Sequence, residues 1–502
     1  MNQVQTGSPR RALILVVVIA ALALGVIAGR SHPSSTARAI APVDASQRSA
    51  PGALSTAWYC PGLPASFPTG DQTITLSNLG SADADSVVTV QPDSGAGAIV
   101  RRVTVPHDSV LTLDRASLAP ASVATGGAGS APTAKPLPPG PVVVEPFSSD
   151  VVVSAGAETA TELDPVPCAN TTSTDWYFAA GTTVRGVSDW LVLDDPYSTD
   201  ARVDVTLRTD SGLQQLPALQ GIDVPGRSRV VIAMHDQAVR QARVAVQVHT
   251  DVGRVVASQT LQFKPASGPT GLATSIGALG PAGQWSFSDG EAFAGSSQWV
   301  AITGLSALDV HVTVQATLGS QAIAQPVVLT IPSGSVTWVQ IGGCARLQSN
   351  CLLVAPNRGY GLQVVADNHA PIVAQTLSRF GASATALGAT TSTGSSQPAR
   401  DWVIARTRAD DERSTSMSEM NNGLGAAHIS VQVVHAGIVD RPAALQHLAI
   451  APNSRYVLPA DTAGATHRLD AAVVIESDAP VFVESTIYAQ RDATRAPGIP
   501  SR

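Results

Sequence analysis

The stretch that decides the fold begins at Asp175 with DWYFAAGTTVRGVSDWLVLDDP and runs to Phe263. It continues with ARVDVTLRTDSG, turns at VPGRSRVVIAM and closes with ARVAVQVHTDVGRVVASQT. In ARVDVTLRT the apolar residues Val203, Val205 and Leu207 alternate with polar ones, and a period of two is typical of a half-buried β-strand. The stretch therefore predicts a series of short strands.

This unit recurs four times along the chain. Each copy opens with a tryptophan in a short strand: Trp58, Trp176, Trp285 and Trp402. A strand and a polar turn follow in TITLSNLGSADADSVVTVQP, WLVLDDPYSTDARVDVTLRT, WVAITGLSALDVHVTVQATL and, more loosely, MSEMNNGLGAAHISVQVVH. A turn built on a proline comes next, at Pro106, Pro225, Pro332 and Pro452. Several landmarks in the same order indicate an internal repeat.

Each copy contains six to eight short strand patterns with turn residues between them. That number suits an antiparallel sandwich of roughly a hundred residues with immunoglobulin-like architecture. The chain lacks the alternation of strand and helix that marks an α/β enzyme. The expected fold class is an all-β ectodomain of tandem immunoglobulin-like antiparallel β-sandwich repeats after one N-terminal transmembrane helix.

The tryptophans in these strand patterns predict apolar plugs between two sheets, because large aromatic side chains dominate sandwich cores. The predicted core tryptophans are Trp58, Trp176, Trp190, Trp285, Trp299 and Trp402. The alternative is a carbohydrate-binding face, which needs exposed rings. For such a face the candidates are Tyr197, Tyr360 and Trp338.

Composition limits the class of partner. The 502 residues are 44% hydrophobic and only 14% charged, with a net charge of −7. Lysine occurs only at Lys135 and Lys264, and no basic stripe with interleaved aromatic residues is present. We therefore expect no nucleic-acid partner. The length suggests several domains.

The N-terminus predicts a membrane anchor. Arg10 and Arg11 precede the apolar run ALILVVVIAALALGVIAG at 12–29. This run is about the minimum length for a spanning helix, and the preceding positive charge favours a cytoplasmic N-terminus. A cleaved signal peptide is the alternative, but its best cleavage motif, Ala37-Arg38-Ala39, lies well downstream. We favour an uncleaved, single-pass signal anchor with the C-terminal ectodomain outside the cytoplasm.

The four cysteines agree with export, because an even number in an extracytoplasmic chain indicates disulfides. Cys60 and Cys168 lie at the two ends of the first copy, and Cys344 and Cys351 lie close together in the third. Neither pair has the spacing of a zinc site with nearby histidines. We expect the bridges Cys60–Cys168 and Cys344–Cys351.

The predicted organisation follows the repeat. It comprises a cytoplasmic N-terminus at 1–11, a transmembrane segment at 12–29, a flexible stalk at 30–56, sandwiches at 57–168, 172–264, 284–380 and 400–490, and a tail at 491–502. The first sandwich carries a predicted disordered insertion at 119–140, rich in Ala, Pro, Gly and Ser. The small-residue stretches 265–283 and 381–400 are expected to be linkers or loops between sandwiches.

Three polar clusters were considered for chemistry. Asp410, Asp411 and Glu412 could supply oxygen ligands to calcium, but neighbouring arginines favour a solvated loop. Asp194, Asp195 and Asp200 are open to the same two interpretations, with turn chemistry favoured. His428 and His435 are separated by an odd number of residues, so a strand places them on opposite faces, and with His447 they make a poor zinc site.

No nucleophile elbow, zinc helix, phosphate loop or EF-hand occurs, so neither a catalytic residue nor a cofactor or metal site is expected. A hydrolase would need two facing carboxyl groups, for which Asp194 or Asp195 with Asp410 or Glu412 is the available pairing.

The chain resembles a family of actinobacterial, membrane-anchored secreted proteins known only as a domain of unknown function. The resemblance rests on WYCPG at 58–62, joined to the N-terminal anchor, Cys168 and the DWYFAAG…WLVLDDP block. The fourth copy departs most, because no tryptophan there matches Trp190 or Trp299. The resemblance implies where the protein is located and how its fold is built, and it assigns no catalytic residue to this chain.

The expected function is that of a non-catalytic cell-envelope scaffold or protein-interaction module. Its partners would be the membrane, through the N-terminal helix, and an envelope protein or wall glycan. A wall-carbohydrate-binding protein is the alternative, and an envelope hydrolase comes third.

Overall fold

Short strands fill the part of the chain described by this computed structural model. The described residues are 44–48, 53, 56–64, 72–118, 140–157, 166–266, 270–319, 323–344, 348–381, 388–407, 413–459, 470–489 and 492–501. Within them, no helix combines the length and the apolar character needed to span a bilayer. The predicted anchor at 12–29, most of the stalk at 30–56 and all but the last residue of the 119–140 insertion lie outside these ranges.

The strands fall into four groups in chain order, here called modules 1 to 4. Module 1 contains β1 (Trp58–Cys60), β2 (Gln72–Asn78), β3 (Ala84–Val90), β4 (Ile99–Val105), β5 (Ser109–Leu113), β6 (Val142–Pro146), β7 (Val151–Ala157) and β8 (Val166–Pro167). Module 2 contains β9 (Asp175–Gly181), β10 (Val187–Asp195), β11 (Ala201–Thr209), β12 (Gly212–Gln214), β13 (Ile222–Val224), β14 (Ser228–Ala233), β15 (Val244–Val252), β16 (Val256–Phe263) and β17 (Gly271–Ile276).

The second half of the chain repeats this organisation. Module 3 contains β18 (Gln284–Glu291), β19 (Ser297–Gly304), β20 (Val310–Thr317), β21 (Val327–Ile331), β22 (Val336–Ile341), β23 (Cys351–Leu352), β24 (Gly359–Ala366), β25 (Ile372–Phe380) and β26 (Gly388–Thr393). Module 4 contains β27 (Ala399–Thr407), β28 (Arg413–Asn421), β29 (Ala427–His435), β30 (Ile438–Asp440), β31 (Leu448–Ile450), β32 (Ser454–Pro459), β33 (Ala471–Ala489), β34 (Ala493–Pro497) and β35 (Ile499–Pro500). The described helices are single turns: α1 (Arg115–Leu118), α2 (Met234–Gln237) and the 3-10 turns Pro217–Leu219, Asp367–His369 and Ala443–Leu445.

Every module pairs its strands in the same order. In module 1 the two sheets are β1-β6-β3-β4 and β5-β2-β7-β8, and in module 2 they are β9-β15-β11-β12 and β14-β10-β16-β17. Module 3 has β18-β24-β20-β21 and β23-β22-β19-β25-β26. In module 4 the long strand β33 takes part in both sheets, pairing with β27 and β29 through its first half and with β28 through its second.

The all-β, antiparallel prediction is confirmed with a small exception, since β23 pairs in parallel with β22. The order of strands differs from that of an immunoglobulin domain. There the first strand lies beside the second, in the sheet ABED. Here the first strand of each module lies beside the strand before the final hairpin turn. The likeness to immunoglobulin domains is therefore one of two facing sheets and not of connectivity.

The tryptophans that open the modules fill the space between the two sheets. Trp58, Trp176 and Trp402 are fully buried, and Trp285 is nearly so. The prediction was wrong for Trp190 and Trp299, which are only half-buried. These two side chains stand on the outer face of β10 and β19, where Trp190 packs edge-on against His235 and Trp299 lies beside Trp338.

The second sheet of each module is not half-buried, as simple alternation predicted. Strands β2, β7 and β16 are buried at every position, and β25 at all but one. One face of these strands packs on the module's own core, and the other packs on neighbouring modules. This explains why β16 combines apolar residues with Ser258, Gln259 and Gln262, all of which are buried.

Part of each predicted linker forms a strand, so the predicted sandwich boundaries end too early. Strand β17 lies within 265–283 and pairs with β16, and β26 lies within 381–400 and pairs with β25. In the predicted tail, β34 pairs with β33. Small residues occur there because the strands approach closely: a Cβ atom at Gly271 would lie 2.4 Å from the backbone nitrogen of Ala389.

The modules contact one another in a closed cycle, and we call each contact a seam. At seam 1–2 the Arg229 guanidinium lies 2.8 Å from the Asp93 carboxylate. At seam 2–3 the Ala179 amide donates to Gln375 Oε1 at 2.7 Å. At seam 3–4 the Asp289 amide donates to Glu484 Oε2 at 2.9 Å. At seam 4–1 the Gly437 amide donates to the Asp108 carbonyl, also at 2.9 Å. Head-to-tail contacts that close in this way generate a ring.

Both predicted disulfides are confirmed. Cys60 is bonded to Cys168 and Cys344 to Cys351. The first bridge ties the opening strand of module 1 to the connection that leads into module 2. The second holds the loop that brings β23 beside β22.

Candidate functional site

The predicted aspartates of module 2 do not form a metal site. Asp194 and Asp195 are buried at the end of β10. Asp200 is exposed in the following turn, and its carboxylate accepts a hydrogen bond from the backbone amide of Gly226 at 2.9 Å. Turn chemistry therefore accounts for Asp200. The cluster Asp410, Asp411 and Glu412 lies outside the described residues, and so does its proposed pairing with Asp194.

The histidines of module 4 have separate partners. His428 Nδ1 lies 2.8 Å from an exposed carboxylate, that of Asp478. His435 is buried, and its Nε2 lies 2.8 Å from Asp440. Across the described ranges, no group of three histidine, cysteine or acidic side chains is arranged to hold a metal ion.

The three aromatic residues considered for carbohydrate binding differ in exposure. Tyr360 is buried and donates its hydroxyl hydrogen bond to Gln298. Trp338 is half-buried, with its ring centroid 6.0 Å from that of Trp299. Tyr197 is 43% exposed, and its hydroxyl lies 2.8 Å from that of Thr172. Of these three, Tyr197 alone presents a largely exposed ring.

The densest polar cluster lies at seam 3–4. The guanidinium of Arg455, on β32, donates to Asp289 Oδ1 at 2.8 Å and to the Ser288 carbonyl at 2.6 Å. The Thr486 hydroxyl donates to the other oxygen of Asp289 at 2.5 Å. Across the same seam, Ser392 donates to Glu484 Oε1 at 2.6 Å. These bonds hold β18 of module 3 against β32 and β33, and β26 of module 3 against β33.

This cluster holds more carboxyl groups than positive charges. Its acids are Asp289, Glu291 and Glu484, and its cations are Arg455 and Arg495. Burial raises the pKa of Glu484 and of Glu291. Burial therefore favours the protonated form of these acids, and the two guanidinium groups oppose it.

Glu419 lies on the other face of β28, because its neighbours Ser418 and Met420 contact module 3 and side chains alternate along a strand. It is fully buried on β28, and neither of its carboxyl oxygens has a hydrogen-bond partner on another described residue. A buried ionised carboxylate without a partner costs several kcal/mol, whereas the protonated acid costs much less. Burial raises the pKa of Glu419 to about 8, with the Asp289 charge acting in the same direction. The site therefore favours the proton.

Seam 1–2 repeats this arrangement in part. Arg229 on β14 and Arg455 on β32 occupy the same position in the repeat. Each arginine directly follows a serine, and that serine pairs with the last residue of the neighbouring strand. Arg229 donates to both oxygens of Asp93 at 2.8 Å and to the Pro61 carbonyl at 2.6 Å. Nearby, Asp194 is fully buried with both oxygens unpartnered, and burial raises its pKa to about 8.

The other two seams combine apolar packing with neutral hydrogen bonds, and among the described residues no ion pair crosses them. At the positions of the two arginines, module 1 has Val110 and module 3 has Val336. One continuous core cluster joins modules 2 and 3, and another joins modules 4 and 1, where Val403 and Ala405 of β27 pack into the module 1 core. Seams with an ion pair between described residues thus alternate around the ring with seams that lack one.

The last strands of the four modules meet around a cavity at the centre of the ring. Its walls come from the segments 166–167, 274–279, 391–396 and 495–498, together with 44–46 and Trp285. It contains about 630 Å³ of space between atoms, including its open mouth. Half-buried Asp44 lies in the wall, and burial raises its pKa to about 7. The walls are mostly apolar.

Exposed apolar residues mark the loop after the second strand of three modules. Leu424 in module 4 is 97% exposed, Leu308 in module 3 is 76% exposed, and Tyr197 occupies the corresponding loop of module 2. Single exposed apolar residues are ordinary on protein surfaces. Here they recur at the same place in the repeat, so they are candidates for contact with a partner.

The sequence alone did not identify Arg229 and Arg455, which form ion pairs between modules. It also did not identify Glu419 or the two exposed leucines. A signal for the leucines was present, because Leu424 stands between two glycines in NNGLGA, outside any alternating pattern. A signal for Arg455 was present in the comparison of copies, where SRYVL matches SRVVI around Arg229. Glu419 offered none, since one glutamate in a strand is ordinarily solvated.

Comparison with protein families agrees with the resemblance found in the sequence. Residues 148–382 match a family described as "Family of unknown function (DUF5719)". The match covers the end of module 1, all of module 2 and nearly all the described part of module 3. No curated protein matches the chain.

Similarity to solved structures is slight. The Thermotoga maritima protein 1070 is 12% identical, with 21% of this chain and 94% of that chain covered and a TM-score of 0.19. The Anabaena sensory rhodopsin transducer is 17% identical, covering 20% and 83%, with a TM-score of 0.16. A tetra-tandem repeat from the extending region of a large adhesion protein is 9% identical, covering 89% and 100%, with a TM-score of 0.11.

Proposed function

We propose that this chain is a non-catalytic, membrane-anchored protein of the cell envelope that serves as a scaffold or protein-interaction module. The observation that carries the proposal is the recurrence of exposed apolar tips, Leu308 and Leu424, at matching loops of a closed ring. Binding residues occur disproportionately on loops that a rigid scaffold positions.

The placement of the polar groups supports this proposal over an enzyme. Glu419 and Asp194, whose pKa values are raised to about 8, are buried in the interior, away from the protein surface. A general acid or base must reach a substrate atom within hydrogen-bond distance. Buried carboxyl groups at inter-module contacts serve assembly of the ring.

The anchor at 12–29 would hold the ring outside the cytoplasm, consistent with two disulfides. In this proposal each module is a sandwich that is immunoglobulin-like in its two facing sheets. The ring would then present several loops at once, and multiple weak contacts raise the overall affinity for a partner.

The test is in-cell crosslinking of the full-length chain, followed by purification and mass spectrometry. We expect a reproducible set of envelope proteins that disappears when the ectodomain is deleted and the anchor is kept. The double variant Leu308→Ser/Leu424→Ser should lose those proteins. Val328→Ser is the matched control, because Val328 is 71% exposed but lies on strand β21. Equal recovery by the loop variant and the control would contradict the proposal.

A wall-carbohydrate-binding protein is the second candidate, favoured by the exposed ring of Tyr197. An exposed aromatic face can stack on a sugar ring. Recovery of wall glycan alone in the crosslinking experiment, with loss on Tyr197→Ala, would favour this candidate. An envelope hydrolase ranks third, because Asp194 and Asp195 are buried.

A further inference from the structure

Strand β4 forms the outer edge of the first sheet of module 1, at the end of the order β1-β6-β3-β4. In modules 2 and 4 the corresponding edge is broken into two three-residue strands by a 3-10 turn, at Pro217–Leu219 and Ala443–Leu445. Strand β4 runs for seven residues without a break. A long, regular edge is a template for a further strand, and natural sheets commonly interrupt or cover it. Across the described ranges, no other strand pairs with the outer side of β4.

The register of the sheet shows which backbone groups of β4 point outward. On the β6 side of β3, the Phe147 amide donates to the Asp85 carbonyl at 2.9 Å, and the Gln91 amide donates to the Pro141 carbonyl at 3.0 Å. Alternate residues of an antiparallel strand bond to the same side, so the odd-numbered residues of β3 bond towards β6. Their partners on β4 therefore direct their N–H and C=O groups away from the sheet: Val100, Arg102 and Thr104. None of these three amides has an acceptor among the described residues.

The same edge carries two positive charges. Arg102 is exposed, and Arg101 is half-buried with its guanidinium donating to the carbonyl of Val100 at 3.2 Å. Neither arginine forms an ion pair with a described residue. The whole chain has a net charge of −7, so this edge differs in sign from the protein as a whole. Adjacent residues of a strand point to opposite faces, so a strand laid along β4 would meet one guanidinium group on each face.

We propose that β4 is a docking edge that takes an extended, acidic segment of a partner protein as an additional strand. In this mode of binding the main-chain hydrogen bonds give affinity and the alternate side chains give specificity. Val100, which is 52% exposed, offers an apolar contact on the outer face. A second copy of this chain pairing at the same edge would bring its own two arginines against these two, whereas acidic side chains would neutralise them. The inference rests on the proposed role as a protein-interaction module and names the kind of partner.

The test is fluorescence anisotropy with the full-length chain in lipid nanodiscs and a labelled peptide of alternating valine and glutamate, seven residues long to match β4. One control peptide has lysine in place of glutamate, and another keeps glutamate but has every amide N-methylated, so that its backbone cannot donate. Empty nanodiscs give the background. We expect saturable binding of the glutamate peptide, with each control peptide at least about tenfold weaker. Hydrogen exchange should show the protection gained at the amides of Val100, Arg102 and Thr104.

Two variants of β4 locate the binding. Arg101→Glu/Arg102→Glu should weaken the glutamate peptide by at least about tenfold and reverse the preference towards the lysine peptide. Val100→Pro removes one outward N–H group, a change that edge strands tolerate, and should also weaken binding. Val328→Pro is the matched control, at an exposed position of β21, the uncharged edge strand of module 3, and should leave binding unchanged.

The docking edge is overturned if no peptide binds, if the lysine or N-methylated peptide binds as well as the glutamate peptide, or if Val328→Pro weakens binding as much as Val100→Pro. The peptide comparison on the wild-type chain decides the matter even if Val100→Pro does not fold. The crosslinking experiment is independent of this one. Envelope proteins recovered there, with no peptide bound at β4, would overturn the docking edge alone. Peptide binding at β4 without any crosslinked protein would contradict the proposed function and leave the edge standing.

Discussion

At the residue scale, Asn78 and Asn421 show how one buried side chain can hold a repeat together. The side-chain amide of Asn78 donates to three backbone carbonyls, at 2.9, 3.1 and 3.2 Å. Asn421 repeats the pattern at 2.8, 3.0 and 3.3 Å. Both join the loop after the second strand to the proline turn, which brings together two landmarks that are separate in sequence.

Replacing either asparagine with alanine should destabilise the protein by about 2–3 kcal/mol, because buried carbonyl groups lose their donor. The measurement is the urea midpoint at constant m-value. Asn422→Ala is the matched control, since Asn422 makes one long bond of 3.4 Å and should cost less than about 1 kcal/mol. Equal losses at Asn421 and Asn422 would contradict this role for the buried amide.

Asp194 allows a second prediction at this scale. The pKa of Asp194 is about 8 in the folded protein and takes its ordinary value of 3.8 in the unfolded chain. Between these two pH values the folded protein keeps a proton that the unfolded chain releases. Wild-type stability should therefore fall as pH rises from about 4 to 8. Asp194→Asn should be more stable than wild type by roughly 2–5 kcal/mol at pH 8, with the advantage shrinking towards pH 4. Urea unfolding at several pH values measures this, and a constant difference would contradict it.

At the scale of elements, the alternating patterns and proline turns were enough to predict most strands, but not their order within the sheets or the last strand of modules 2, 3 and 4. The turns recur because a residue at positive φ follows each of them: Asp108, Arg227, Gly334 and Asn453. The seams could not be predicted, because Val403 and Ala405 look like any outward residues of an alternating strand. A partial signal was present in runs such as DWVIA, since strands buried on both faces read as continuously apolar.

The two disulfides differ in what they constrain. Cys60 and Cys168 are separated by 108 residues, and Cys344 and Cys351 by 7. In the chain-entropy model, Cys60→Ser/Cys168→Ser should cost about 4–5 kcal/mol and Cys344→Ser/Cys351→Ser about 2 kcal/mol. Thermal and urea unfolding of the two double variants gives the comparison. A larger loss from the short bridge would show that strain or local packing, and not loop entropy, decides.

At the scale of the whole molecule, ring closure ties the modules into one cooperative system. Each second sheet is buried on both faces only because a neighbouring module covers it, as in β7 and β16. Loss of one module would expose apolar surface on two others. We therefore expect the described body of the chain to unfold in one calorimetric transition, although four separate sandwiches would allow several.

Seam 4–1 is where this can be tested, because Val403 belongs to the core cluster of module 1 while its neighbours Trp402 and Ile404 belong to that of module 4. Val403→Asp places a charge in the seam and leaves the module 4 core intact. An unpaired buried charge costs several kcal/mol, so the ring should open there and the transition should split, with a van't Hoff enthalpy below the calorimetric one. Val328→Asp, at an exposed position, should keep a single transition near the wild-type temperature. If Val403→Asp only lowers the temperature of one undivided transition, the modules are coupled through their remaining seams strongly enough that closure itself adds no cooperativity.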